Sequence, residues 1–270
     1  MLKALIVAVT GLVMGGVLAA APSQARTLDE IIKSGTINVG INPTLPPLGK
    51  YNDQNEIVGF DVDYAQEIAK KLGVKLQVVP VGSPDRVPFV ASNRVDFVMG
   101  AMTRNSERAK VIDFTVPIYT EGLGVLTTGS AKPTAWSDLN TPETKLVEVR
   151  GTTPVAFIQR TLPKAQLTLL DNYPDVVRAL AQGRGNALID VIDYVGDYMK
   201  DYKDVKWQVT SMPVEVDYDA MGVAKNATGL KDWLNIAAFE IERSGKRAEL
   251  WKKWHGGIDM TYPIAINPYF

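Results

Sequence analysis

Beyond residue 26, the apolar positions of this chain fall into blocks that alternate between helical and strand spacing. "TLDEIIKSG" (27–35) predicts a short amphipathic helix stopped by Gly35, and "TINVGIN" (36–42) alternates as a strand. In "FDVDYAQEIAKKLG" (60–73), Ala65, Ile68, Ala69 and Leu72 share one helical face, with Asp61 expected as the N-cap and Gly73 as the stop. "KLQVVPV" (75–81) reads as a second strand. "DRVPFVASNR" (85–94) reads as a short helix with a proline in its first turn, where a missing N–H costs little. "VDFVMGAM" (95–102) follows as a third strand, apolar enough to be buried on both faces.

The same order returns: "KLVEVRG" strand, "TPVAFIQRTL" helix, "QLTLLDN" strand, "YPDVVRALAQG" helix, "NALID" strand. Two β-α-β-α-β units imply two α/β lobes, each a mainly parallel sheet flanked by helices. "PIYTEGLGVLTTGS" (117–130) and "VEVDYDAMGVAKN" (214–226) are extended and lie before and after the second unit, as two crossing strands of a hinge would. The helices "LKDWLNIAAFEIERSG" and "KRAELWKKWHG" follow. The second lobe (120–216) is therefore expected as an insertion into the first (26–119 and 217–270). A cleft between hinged lobes is a way to enclose a small solute.

Residues 1–25 are a different text. Lys3, the apolar "ALIVAVTGLVMGGVLAAA" and the small residues of "SQA" before Arg26 read as a secretory signal peptide. The chain has no cysteine, which excludes disulfides, thiolate metal sites and a lipid anchor on an N-terminal cysteine. An unlipidated protein of the Gram-negative periplasm is the expected location. The composition, 46% hydrophobic and 22% charged, is that of an ordinary globular protein. A net charge of −1 disfavours nucleic-acid binding, which needs a basic excess. The one histidine, His255, lies in a terminal amphipathic helix, a poor place for a catalytic base. No metal, cofactor or catalytic residue is expected, and a monomer is.

"GAMTRNSERAKVIDFTVP" (100–117) places Thr103 at a strand end and Arg108 in the first turn of what reads as a helix capped by Ser106. A cation there opposes the helix dipole by a few tenths of a kcal/mol up to ~1 kcal/mol. The arginine is either a solvated surface residue or half of a carboxylate seat, since a guanidinium fork and a hydroxyl match a carboxylate.

"VGFDVDYAQEIAKKLG" followed by "NRVDFVMGAMTRNSERAKVIDFTVPIY" resembles the signature of the polar amino-acid solute-binding proteins of ABC transporters, over essentially the whole chain from Arg26 to "KKWHGG". The resemblance implies the two-lobed type II periplasmic-binding fold and delivery of a small polar amino acid, or a related carboxylate, to an inner-membrane permease. It implies that Arg108 and Thr103 grip the ligand carboxylate, completed across the cleft by Thr152 and Thr153 of the "RGTT" turn. It implies that the Gly100 and Ala101 carbonyls meet the ligand ammonium. Leu45 and Leu48 stand where the family commonly has aromatics over the ligand. Ser83 and Arg86 stand where glutamate/aspartate-binding members read a side-chain carboxylate, while Asn42 replaces a charged residue of that subset. The family's ammonium-pairing aspartate aligns with Val191, which leaves Asp190 or Asp193 to take that role, or a ligand without an α-ammonium.

Two other classes compete. Some relatives on this scaffold are cyclohexadienyl dehydratases, whose catalytic glutamate lies just beyond the glycine-threonine turn. Here that place holds Pro154 and Val155. A sensor is the third class, against which stands the lack of an attached domain.

Overall fold

A computed structural model describes residues 24–129, 132–210, 214–258 and 260, so most of the segment read as a signal peptide lies outside the described residues. Helix α1 (Leu28–Ser34) begins at a reciprocal cap: Glu30 N donates to Thr27 Oγ1 at 3.2 Å and Thr27 N donates to Glu30 Oε2 at 2.7 Å. Strand β1 (Thr36–Ile41) follows, then a small antiparallel sheet of β2 (Thr44–Leu45), β3 (Gly49–Tyr51) and β4 (Ile57–Val58).

Helix α2 (Phe60–Leu72) does not use Asp61 as its cap. Its first N–H groups, on Phe60 and Asp61, donate to the carbonyls of Pro47 and Leu48, so the loop backbone does the work of a capping side chain. Gly59 before it has φ +151°, and a Cβ there would lie 2.1 Å from the Leu48 carbonyl oxygen. Asp61 is instead fully buried in the first turn.

Strand β5 (Lys75–Pro80), helix α3 (Arg86–Ala91) and strand β6 (Phe97–Val98) complete the first unit. The third strand is shorter than its apolar run suggests. It stops because Gly100 (φ +86°) and Ala101 (φ +54°) both turn left-handed. Thr103 rejoins the sheet only through one bridge to Asp219. The helix expected at Arg108 is a single 3₁₀ turn, Arg108–Lys110, and its backbone cap is Asn105 Oδ1, 2.8 Å from Arg108 N, rather than Ser106. One turn carries little dipole, so the dipole contributes little to any anion site at Arg108.

Strand β7 (Ile112–Gly122) crosses out of this lobe and continues, past Leu123, as β8 (Gly124–Thr128). The second unit is β9 (Lys145–Val149), α4 (Thr153–Thr161), β10 (Gln166–Leu170), α5 (Tyr173–Ala181) and β11 (Ala187–Asp190). Helix α6 (Asp193–Met199) and strand β12 (Trp207–Thr210), neither anticipated by the spacing, lead to β13 (Val216–Ala224), which crosses back. Helices α7 (Thr228–Arg243) and α8 (Lys246–Trp254) close the first lobe.

The two sheets share one plan. In the order β5-β1-β6-β13-β7, β1 is parallel to β5 and β6, and β13 runs antiparallel to β6 and β7. In the order β10-β9-β11-β8-β12, β9 is parallel to β10 and β11, and β8 runs antiparallel to β11 and β12. The crossing is tied at its middle by Leu123 N to Glu215 O at 2.9 Å and Val214 N to Leu123 O at 2.8 Å. Leu45 and Leu48 are fully buried in the core with Phe60 and Tyr119, which removes them from the place expected above a ligand.

Candidate functional site

Where the crossing strands pass between the lobes they enclose a cavity of about 10 Å³. That is room for no more than one water molecule. The first lobe brings Arg86, Ala101 and Thr103 to it, and the crossing strands bring Glu121 and Asp217. The second lobe brings Thr152, Thr153, Tyr173, Asp190 and Tyr194. These sit at strand ends and helix starts, where α/β sheets commonly bind ligands.

Arg86 is 2% exposed and already engaged. Its Nε donates to Ser83 O at 3.2 Å, and its Nη1 donates to the carbonyls of Gly100 and Ala101. The carbonyls expected to meet an ammonium thus face a guanidinium. Asn42 holds this loop in place: its Nδ2 donates to Ser83 Oγ at 3.0 Å, and its Oδ1 accepts from Thr44 N and Thr44 Oγ1, both at 2.9 Å. Ser83 and Asn42 are therefore a clip under Arg86, and neither lines the cavity.

Arg108 joins the lobes. Its Nη1 donates to Thr103 O and its Nη2 to Gly151 O, each at 2.8 Å. Burial, then the neighbouring Arg86, lowers its proton affinity to a pKa of about 10, which still leaves it charged. Gly151 (φ +81°) is needed at this contact, because a Cβ would lie 2.8 Å from Pro84 Cα of the other lobe. Thr153 Oγ1 and Thr103 Oγ1, from opposite lobes, both donate to Asp217 Oδ2, at 2.7 and 3.3 Å. Thr152 sits at the N-cap position of α4, but its hydroxyl donates to Val149 O at 2.7 Å and does not cap the helix.

Of the two candidate aspartates, Asp190 faces the cavity. Its Oδ2 accepts from Tyr173 OH at 3.1 Å and its Oδ1 from Val191 N at 2.7 Å. Burial raises its pKa to about 7, outweighing those hydrogen bonds. Val191 is packed into the core. Asp193 opens α6 and is exposed, on the wall of a separate outer groove.

The sequence reading missed the acids of the crossing strands. Glu121 on β7 pairs with Asp217 on β13, and Asp219 follows two residues on, so all three belong to one face. All are at most 9% exposed. Burial, then Asp219 and Asp217, holds the Glu121 carboxyl well above the usual range. Burial, then Asp217, raises Asp219 to about 7. Neither Asp219 oxygen has a hydrogen bond of ordinary geometry. The signal was present in "TEG" and "DYD", charged residues in segments otherwise apolar enough to be buried.

Residues 37–257 match the bacterial extracellular solute-binding proteins, family 3. The glutamate/aspartate import solute-binding protein of Escherichia coli K12 is 26% identical over 249 residues, covering 87% of this chain and 81% of that protein. An ABC transporter glutamine-binding protein of Bacillus subtilis 168 is 28% identical over 239 residues, covering 86% and 85%. The crystal structure of an ancestral amino acid-binding protein, a precursor of cyclohexadienyl dehydratase, superposes with a TM-score of 0.77 at 29% identity, covering 84% of this chain and 98% of that one.

Proposed function

Because the chain belongs to the family 3 bacterial extracellular solute-binding proteins, with their two-lobed type II fold, we propose that it captures one small amino acid between its lobes for an ABC transporter permease. On this reading the leader (1–25) exports it to the periplasm without a lipid anchor, and it has no enzymatic activity. The observation that carries the reading is a desolvated cavity at the lobe crossing, lined from both lobes by groups of both signs.

A zwitterion suits such a site. Its carboxylate would take Arg108 and the hydroxyls of Thr103 and Thr153, which Asp217 engages in the closed form. Its ammonium would take Asp190, whose burial makes a charged partner favourable. Loading requires the lobes to part, since 10 Å³ admits no amino acid.

A dehydratase is the second reading, favoured by one observation: Glu121 is a buried carboxyl at the cavity wall whose proton affinity burial raises. Incubation with prephenate or arogenate separates the two, because a binding protein turns over neither. The test of the main reading is mass spectrometry of the small molecule that co-purifies, followed by calorimetry of the stripped protein with that compound. An amino acid bound one to one supports it. A compound with neither carboxylate nor ammonium refutes it.

A further inference from the structure

We propose that the ligand is a cationic amino acid, whose side-chain positive charge is received by Glu121 and Asp217 on the crossing strands, with Tyr194 lining the same cavity. This rests on the reading of the cleft as an amino-acid site and narrows the ligand class.

The first ground is the charge inventory. Glu121, Asp190, Asp217 and Asp219 gather at the crossing, all at most 9% exposed, against the guanidinium groups of Arg86 and Arg108. Arg86 donates to three backbone carbonyls, and Arg108 to two, so much of their donor capacity is already committed. Glu121 and Asp217 are cross-strand partners, an arrangement of like charges that is unfavourable unless something positive or a proton separates them. An amino acid with a neutral tail brings one charge of each sign and leaves the acid surplus unchanged. An acidic one adds to it. Only a cationic tail cancels part of it.

The second ground is independent of the count. Glu121 Oε1 and Tyr194 OH both belong to residues lining the cavity, at 6% and 2% exposure, and neither atom has a hydrogen-bond partner. Buried polar atoms are rarely left this way. A carboxylate oxygen accepts only, and a phenol oxygen can accept, so the pair suits a group rich in N–H donors. Arg86 stands where an acidic tail would be read, yet its Nε and Nη1 already donate to Ser83, Gly100 and Ala101, which leaves only Nη2 for a ligand. The raised proton affinities of Glu121 and Asp219 fit the same account, because buried acids that repel one another favour a positive partner.

The test is calorimetry on the full mature chain, stripped of ligand by unfolding and refolding. The probes are L-lysine, L-arginine, L-norleucine, L-glutamine, L-glutamate and 1,5-diaminopentane. L-Lysine or L-arginine should bind at least tenfold more tightly than L-norleucine, L-glutamine or L-glutamate. Glu121→Gln should shrink that preference at least tenfold, and Asp217→Asn provides the same readout if the first variant does not fold. Tighter binding of a neutral or acidic amino acid overturns the inference and leaves the amino-acid reading standing. Diaminopentane binding as well as L-lysine upholds the cation site and removes the carboxylate seat. No binding by any of the six overturns this inference; failure of the remaining common L-amino acids to bind as well would remove the amino-acid reading.

Discussion

Two spaces separate the lobes, and they treat similar side chains in opposite ways. The inner cavity at the strand crossing is nearly filled, and there burial raises Asp190 and Asp219 to pKa values of about 7. The outer groove, about 530 Å³, lies between the 46–50 loop, α6 and α8. It also holds carboxylates and lysines, but in water. Lys200 donates to Asp197 Oδ1 at 2.6 Å and lowers the Asp197 pKa, while Lys50 stands 3.8 Å from its other oxygen, both side chains over 40% exposed. Pairs of that kind contribute ~0–1 kcal/mol and weaken with salt. Charge discriminates more strongly where water has been removed, and of these two spaces the inner one is the drier.

The largest expected effect is that of Arg108→Ala. Arg108 is only half-buried in this structure. Between lobes closed on a ligand it would pair with the carboxylate out of water, and losing one member of such a pair costs ~2–5 kcal/mol in binding. Calorimetry should therefore show amino-acid affinity falling at least thirtyfold, with the far-ultraviolet circular dichroism unchanged. A change under twofold would mean that the lobe-bridging guanidinium does not touch the ligand.

Asp190→Asn comes next. It should weaken an α-amino acid by roughly 1.5–3 kcal/mol, the range for a hydrogen bond to a charged group, since the asparagine keeps an acceptor but loses the charge. The des-amino analogue with the same tail should be affected much less. Equal losses for both compounds would assign Asp190 to structure rather than to the ammonium.

The pH dependence follows from the raised carboxyls. Asp190 is faced by Tyr173, Arg86, Asp217, Glu121 and Glu148, and Asp219 by Asp217, Glu121, Asp61, Arg108, Arg86 and Thr103. Both bind a proton more tightly in the folded chain than unfolded. Their contribution to stability is therefore complete below about pH 4, declines as pH rises, and is lost above about pH 7. Amino-acid affinity runs the other way, rising from pH 5.5 to 8 as these groups ionise. Melting and titration across that range measure both, and affinity that falls with pH would contradict the assignment.

The smallest effect is expected in the outer groove. Asp193→Asn and Asp197→Asn should each leave affinity within about twofold, or ~0.5 kcal/mol. A tenfold loss from either would show that the groove takes part in binding or closure.

The repeated strand and helix order was legible because buried parallel strands and one-sided helices leave strong periodicities. The small sheet β2-β3-β4 left none, since two- and three-residue strands are too short to show a period. At the site, Thr103, read from its strand end, shares the cavity wall with Thr153, Arg86 and Asp190, which only the family resemblance had singled out. Leu45 and Leu48 do not, because apolar side chains in a loop can turn into the core as readily as into a cleft. Glu121 and Asp217 stayed hidden for another reason. Alternation tells which residues of a strand share a face, but Glu121 and Asp217 meet through strand pairing across a sequence separation that no local pattern records.

The central claim is that the lobes close over the ligand at Arg108, and small-angle scattering tests it most directly. The stripped protein should be measured alone and with the saturating amino acid that calorimetry identifies. The account predicts a smaller radius of gyration on loading, matching the closed form in which Arg108 reaches Gly151 O. Binding at full occupancy with an unchanged or larger radius would contradict it.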